Sequence, residues 1–324
     1  MKLLVLGGTE FVGHAVVEAA VARGWEVSVF NRGRHPAPDG VARLVGDREG
    51  DLAALAEGRW DAVVDTWSAK PDAVRTATRL LKGRVGAYAY VSTVSVYVYP
   101  APLGADEDAP VVDGEGDDYS AVKRASELAV LDAFGDRGLL VRPGLILGPH
   151  ENIGRLPWWL NRIARGGDVL APGPRDNPLQ FVDARDLAAF TLDGLAAGLA
   201  GPYNVVSEPG HTTMGELLAE CVRVTGSPAR LRWAEPAVIE AAGIAPWTEL
   251  PVWVPPGKEH DGIHGVDVGK ALRAGLRCRP AAETVADTWA WLRSIGGEAP
   301  RRADRPSPGL DPEVEREVLA GLTG

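Results

Sequence analysis

Along the first 142 residues, short unbroken apolar runs alternate with segments whose apolar positions recur every three or four residues. The runs KLLVL (2–6), EVSVF (26–30), ARLVG (42–46), DAVVDT (61–66), AYAYVS (87–92) and GLLVR (138–142) predict strands. The periodic segments 11–23, 71–82 and 119–134 predict helices, and Asp51–Ala56 a short one. Strands apolar at consecutive positions are covered on both faces, which points to a parallel sheet between two helical layers. The fold class expected is α/β, a doubly wound parallel sheet. Ligands of such sheets sit beyond the carboxyl ends of the strands, so the loops after each run are where chemistry is sought.

Beyond about residue 150 the pattern loosens. Prolines cluster in APGPRDNP and LPVWVPPG, and seven of the ten tryptophans fall there, at 158, 159, 233, 247, 253, 289 and 291. These features predict a smaller, loop-rich C-terminal lobe. The expected division is a sheet domain over 1–150, with strand and helix contributions from about 179–225, and a lobe over 151–298. Residues 299–324 then form an exposed linker and a last helix, with Asp311 as N-cap and Pro312 in the first turn.

Composition narrows the function classes. The chain has 324 residues, 45% apolar and 24% charged, the profile of a soluble globular protein. A net charge of −10 argues against nucleic acid and against an anionic membrane surface as partners. No apolar stretch is long enough to span a bilayer, and the run in MKLLVLGG stops at a glycine turn too soon for a leader. Two cysteines make neither a disulfide framework nor a metal motif, which fits a reducing compartment, so a cytoplasmic location is expected. His260 and His264 have helical spacing, but Gly262 is expected to break a helix there and no third ligand is evident, so no metal is expected.

The first loop reads LVLGGTEFVGHAV (4–16). A strand entering Gly7-Gly8 and a helix opening near Phe11 make a phosphate-cradling turn, with the backbone of Gly7, Gly8, Thr9, Glu10, Phe11, Val12 and Gly13 against a pyrophosphate. A dinucleotide fingerprint has a glycine where this chain has Glu10. Further on, Tyr119 and Lys123 are four apart and share one helix face. An ammonium beside a phenol stabilises the phenolate, which suits Tyr119 to general acid–base work.

Three motifs in order carry a resemblance: the strand–Gly-Gly–helix, YVSTVSVY (90–97) and YSAVK (119–123). Together they resemble the extended short-chain dehydrogenase/reductase superfamily, the NAD-dependent epimerases and dehydratases. RPGLILGP (142–149) and LQFVDARDLA (179–188) resemble its later segments, so the likeness spans roughly residues 1–225. It implies a Rossmann-like sheet with a substrate-binding C-terminal lobe, and a Thr93–Tyr119–Lys123 triad. Hydride would pass at a secondary alcohol or ketone carbon while Tyr119 handles the proton, Thr93 orients the oxygen and Lys123 holds the nicotinamide ribose. The same machinery serves an epimerase acting on a sugar or sugar nucleotide. Glu10 keeps a third reading open, a catalytically silent nucleotide sensor or interaction protein. Val94-Ser95 stand where dehydratases resembling this chain place Asp-Glu, which disfavours dehydration.

An NAD site wants an acid at the end of the second strand, and this chain has Asn31 followed by Arg32 and Arg34. A guanidinium pairs with a 2′-phosphate, so NADP is expected, with NAD second. Asp47 resembles the family's adenine-contacting acid, with Arg48 beside it, and Pro143 belongs with the cofactor contacts. Trp67 stands where relatives carry a small residue; it lies near the cofactor, above the substrate, or in the core. Arg155 and Gln180 are the expected substrate contacts in the later segments, and Trp158-Trp159 either pack on substrate or fill the lobe. A small molecule and a second copy of the chain are the expected partners, the homodimer pairing helices 71–82 and 119–134 through alanines at exposed-face spacing.

Overall fold

The computed structural model describes residues 1–34 and 38–322. The apolar runs become β1 (Lys2–Leu6), β2 (Glu26–Asn31), β3 (Ala42–Val45), β4 (Trp60–Asp65), β5 (Val85–Val91) and β6 (Gly138–Arg142), and a further strand covers Gly201–Asn204. They form one seven-stranded sheet in the order Gly201–Asn204, β6, β5, β4, β1, β2, β3. Every pairing in it is parallel. β1 lies between β2 and β4, so the chain winds outward from it in both directions and the loop at Gly7 sits at the switch point. Leu3, Leu4 and Val5 of β1 are fully buried, as a strand covered on both faces must be.

The helices α1 (Phe11–Ala22), α2 (Pro71–Leu81) and α3 (Tyr119–Phe134) supply the cover, with a further helix at Ala184–Ala197. α1 packs with Ala184–Ala197, and α2 packs with α3. The short helix expected at 51–56 is a 3₁₀ turn, Ala53–Leu55. The alanines of α2 and α3 correct an expectation. Ala73, Ala77, Ala121, Ala129 and Ala133 are buried rather than on an exposed face. Small side chains at these positions let helices approach closely where they pack.

The chain divides into two compact units. The first comprises Met1–Gly144, Ala184–Val206 and Val266–Arg277; the second comprises Leu145–Asp183, Ser207–Gly265 and Cys278–Gly324. The second unit has its own core, in which Trp159 and Trp253 are buried and Trp159 Nε1 donates to Pro251 O at 2.7 Å. Asp311 caps the helix Pro312–Gly321 by accepting from Glu313 N at 2.7 Å. Glu315 of that helix accepts from Arg162 Nε at 2.6 Å and from Leu170 N at 3.1 Å, so the helix is fastened to the second unit by a buried ion pair. Residues 323 and 324 of the expected C-terminal segment lie outside the described residues.

The segment Lys258–His264 is helical through Gly262, against expectation. A glycine costs about 1 kcal/mol in a helix, which burial of both histidines offsets. His260 Nε2 lies 2.8 Å from Pro178 O, and Gln180 N donates to His264 Nδ1 at 3.1 Å. Burial and the neighbouring His260 push His264 down to about 4, so it is neutral near pH 7. Among the described residues no three His, Cys, Asp or Glu side chains group as metal ligands, and no helix is long and apolar enough to cross a membrane.

Candidate active site

The glycine loop is built by contact. Gly7 and Gly8 have φ of 115° and 90°, conformations that side chains rarely adopt. A Cβ on Gly13 would lie 2.7 Å from Gly8 N, so only glycine lets the first turn of α1 press against the loop. Glu10 is the N-cap of α1, exposed, with an extended backbone (φ −135°, ψ 143°) and no side-chain cap to the helix. The helix therefore keeps first-turn N–H groups for an anion, and nothing in the backbone at position 10 demands glycine. The strained residue is its neighbour Phe11, at φ 37° and buried. These observations fit a dinucleotide phosphate site.

At the end of β2, Asn31 Oδ1 accepts from Gly33 N at 2.8 Å, and Arg32 and Arg34 are exposed. Asp47 is exposed and accepts from Glu49 N at 3.0 Å. Arg48 beside it turns inward. Its Nη1 and Nη2 each donate to a carboxylate oxygen of Asp65 at 2.8 Å. Tyr88 donates to the same carboxylate at 2.5 Å, and Trp67 N at 2.9 Å. Burial alone would raise the Asp65 carboxyl, but Arg48 outweighs it and holds the group below its usual range. Burial would likewise lower Arg48, and Asp65 holds it above its usual range.

Trp67 is half-buried, and it adjoins this pair on one side and the lysine on the other. The Arg48 guanidinium lies 5.3 Å from its ring centroid, and its indole N–H donates to Lys70 O at 2.9 Å. Its carbonyl accepts from Lys123 Nζ at 2.9 Å and from Tyr90 Oη at 3.0 Å. Lys123, 2% exposed, also donates to Val91 O at 2.7 Å and to Tyr90 Oη at 3.1 Å. Burial keeps the Tyr90 phenol protonated, well above its ordinary range.

α3 begins at Tyr119 because Asp118 caps it, accepting from Ser120 N at 2.9 Å and Ala121 N at 3.1 Å. Tyr119 is 39% exposed at the positive end of the helix dipole, one turn before Lys123. Two turns further, Glu127 accepts from Arg142 Nε and Nη2 at 2.8 and 2.9 Å, which pins α3 to β6. Arg142 Nη1 donates to Tyr97 Oη at 3.2 Å, and Tyr97 donates to Asn204 at 2.7 Å. Thr93, 6% exposed, caps the turn after β5. Its hydroxyl accepts from Ser95 N at 3.1 Å and reaches Ser95 Oγ at 3.2 Å, and Val94 N donates to Pro143 O at 2.9 Å.

The first unit thus holds the loop residues 7–13, Asn31, Arg32, Arg34, Asp47, Arg48, Trp67, Thr93, Tyr119, Lys123 and Pro143. Arg155 and Gln180 belong to the second unit. There the Arg155 guanidinium lies 5.1 Å from the Trp247 ring, and Gln180, fully buried, donates to Ser207 O at 2.8 Å. Sequence reasoning missed Asp65, Tyr88, Tyr90, Glu127 and Arg142. The charge ending the apolar run DAVVD was a usable signal for Asp65, since a carboxylate closing a buried strand needs a partner.

Residues 3–205 match the model of the NAD dependent epimerase/dehydratase family. A 2-alkyl-3-oxoalkanoate reductase from Stenotrophomonas maltophilia is 31% identical over 259 residues, 70% of this chain and 77% of that one. A 3-diazoavenalumate denitrifying reductase from a Streptomyces species is 32% identical over 253 residues, 70% of this chain and 83% of that one. Among solved structures, the UDP-glucose 4-epimerase of Thermus thermophilus in complex with NAD superposes with a TM-score of 0.64 at 19% identity, over 90% of this chain and 99% of that one. The chain belongs to the NAD-dependent epimerase/dehydratase family of extended short-chain dehydrogenases/reductases, and is an NAD(P)-dependent oxidoreductase or epimerase.

Proposed function

We propose that the protein is an NADP-dependent oxidoreductase acting on a secondary alcohol or ketone, with Thr93, Tyr119 and Lys123 as its catalytic residues. One observation carries the reading: an exposed phenol at a helix N-terminus stands one turn from a buried, fully hydrogen-bonded ammonium. Tyr119 is open to a substrate oxygen and exchanges a proton with it. Lys123 supplies fixed positive charge to the developing phenolate. Thr93 directs its hydroxyl at the same oxygen, with Ser95 as its present partner. When bound, the nicotinamide cofactor supplies or takes the hydride. The backbone of residues 7–13 and the α1 N-terminus hold its pyrophosphate, Arg32 and Arg34 its 2′-phosphate, and Asp47 its adenine. Arg155 contacts the substrate; Gln180, fully buried on Ser207 O, supports the segment behind it.

Net redox is favoured over epimerisation because relatives above 30% identity are reductases, whereas the epimerase structures are similar at the level of fold. A homodimer through the outer face of α2 and α3, where Leu128 is 41% exposed, completes the reading. The test is NADPH oxidation against a panel of 3-oxo acids and simple ketones, with UDP-hexoses in parallel. Tyr119→Phe keeps NADPH binding and loses turnover, and Arg32→Ala brings NADPH affinity toward that for NADH. NADPH binding without turnover on any member of the panel supports the sensor instead. Light scattering showing only a 34.3 kDa species removes the dimer.

A further inference from the structure

A buried ammonium is tolerated where each of its three hydrogens meets an acceptor. Lys123 donates to Trp67 O, Tyr90 Oη and Val91 O, at 2.9, 3.1 and 2.7 Å. Its charge also lies 4.6 Å from the Tyr90 ring centroid. The Val91 carbonyl is set by β5. The other two acceptors depend on side chains. We propose that Tyr90 and Asp65 are positioning residues for Lys123, Asp65 acting through Trp67; the proposal rests on the role given to Lys123 above.

Tyr90 does two jobs with one hydroxyl. It accepts from Lys123 and donates to Trp67 O at 3.0 Å, so the lysine and the carbonyl are tied to each other as well as to the phenol. Trp67 is itself fastened at three points. Its main-chain N–H meets Asp65 Oδ1 at 2.9 Å, its indole N–H meets Lys70 O at 2.9 Å, and Arg48 covers its ring. With the N–H and the ring held, the Cα of Trp67 is fixed, and Tyr90 Oη restrains the one rotation, about ψ, that would turn its carbonyl from the lysine. Asp65 in turn is held by both nitrogens of Arg48 and by Tyr88. A continuous line of hydrogen bonds therefore runs from the loop after β3 to the catalytic face of α3. Asp65 and Tyr90 are both fully buried and act through other residues.

The test uses the full-length protein without cofactor or substrate. Reductive methylation with peptide mapping reads each lysine separately, with the exposed Lys2 and Lys70 as references. Lys123 reacts slowly in the wild type. Tyr90→Phe keeps the ring under the ammonium and removes one acceptor, and should raise the Lys123 rate about tenfold, the size expected for one hydrogen bond to a charge. Lys2 and Lys70 keep their rates. Asp65→Asn should act in the same direction; it strands the Arg48 charge and can fail to fold, so Tyr90→Phe is the deciding arm. In a second measurement, Tyr90→Phe weakens NADPH several-fold and leaves adenosine 2′,5′-bisphosphate, which lacks the nicotinamide half, unchanged. Unchanged Lys123 labelling overturns the proposal. So does faster labelling of all lysines together, or equal weakening of both ligands, since a purely structural role predicts those. The labelling arm needs no turnover, so its failure is distinct from failure of the proposed activity.

Discussion

Gly13→Ala tests the loop most directly. The added Cβ would lie 2.7 Å from Gly8 N and 3.0 Å from Gly8 Cα. Ordinary contact begins at 3.4 Å, so the approach is short by about 0.7 Å, and against backbone rather than a flexible side chain. Gly8 cannot retreat, because a Cβ on it would already meet Val29 at 2.8 Å and the residue is seated close to β2. The first turn of α1 must tilt instead. Alanine gains up to about 1 kcal/mol of helix propensity, less in a first turn. Overpacking costs about 1–3 kcal/mol. The free protein should lose roughly 0–3 kcal/mol, read as a shift in urea midpoint with unchanged m. The larger effect is on binding, because the tilt moves the first-turn N–H groups off the phosphates. Calorimetry with NADPH should show at least a tenfold loss, about 1.4 kcal/mol. Gly50→Ala is the control, since a Cβ there meets nothing within 4 Å. Affinity within twofold of wild type in Gly13→Ala would refute the reasoning.

Glu10→Gly should tighten NADPH binding several-fold and lower the stability of the free protein by roughly 0.3–1 kcal/mol, because an acid leaves the α1 N-terminus; weaker binding by calorimetry would make Glu10 a contact. Arg48→Met strands the Asp65 carboxylate and should cost about 3–5 kcal/mol by urea unfolding, and Arg48→Met/Asp65→Leu should recover only part of it, because Tyr88 Oη and Trp67 N then lose their acceptor. Asp65 has a folded pKa below its unfolded one, so its contribution is present above the ordinary carboxylate range and is lost as pH falls through the folded value. His264 also titrates lower when folded, about 4 against 6.5, so the unfolded chain binds the extra proton between those values. Stability should then fall from pH 6.5 to 4, by at most about 3 kcal/mol, and His264→Asn should flatten that slope while lowering stability at pH 7.

The strands were legible because a two-face-buried strand is written as an unbroken apolar run. The start of α3 was equally plain, with Asp118 before a periodic segment and Tyr119 and Lys123 four apart. What binds these pieces was not local. Arg48, in the loop after β3, and Asp65, at the end of β4, are 17 residues apart, and Arg162 and Glu315 are 153 apart, so no window of sequence pairs them. Alanine misled, because it is helical on either face and says little about which side is covered. Gly262 misled for the opposite reason. Its local preference is against helix, and the burial of His260 and His264 overrides it.

The first unit returns to its sheet late. β6 takes its outer neighbour from Gly201–Asn204, and Tyr97 takes its acceptor from Asn204. Asn204 donates to Asp267 O at 2.9 Å, and Asp267 N donates to Ala105 O at 3.0 Å. On the ribosome, then, the first 144 residues emerge with everything needed to begin the sheet and not enough to close it. β6 waits with one row of N–H and C=O groups unmatched, the arrangement that recruits foreign strands. The wait lasts until residues near 204 have been made, by which time Leu145–Asp183 of the second unit is also out. A nascent chain of this fold spends its vulnerable interval with an open edge at β6, and a charge or proline placed there to guard it would disrupt the finished sheet.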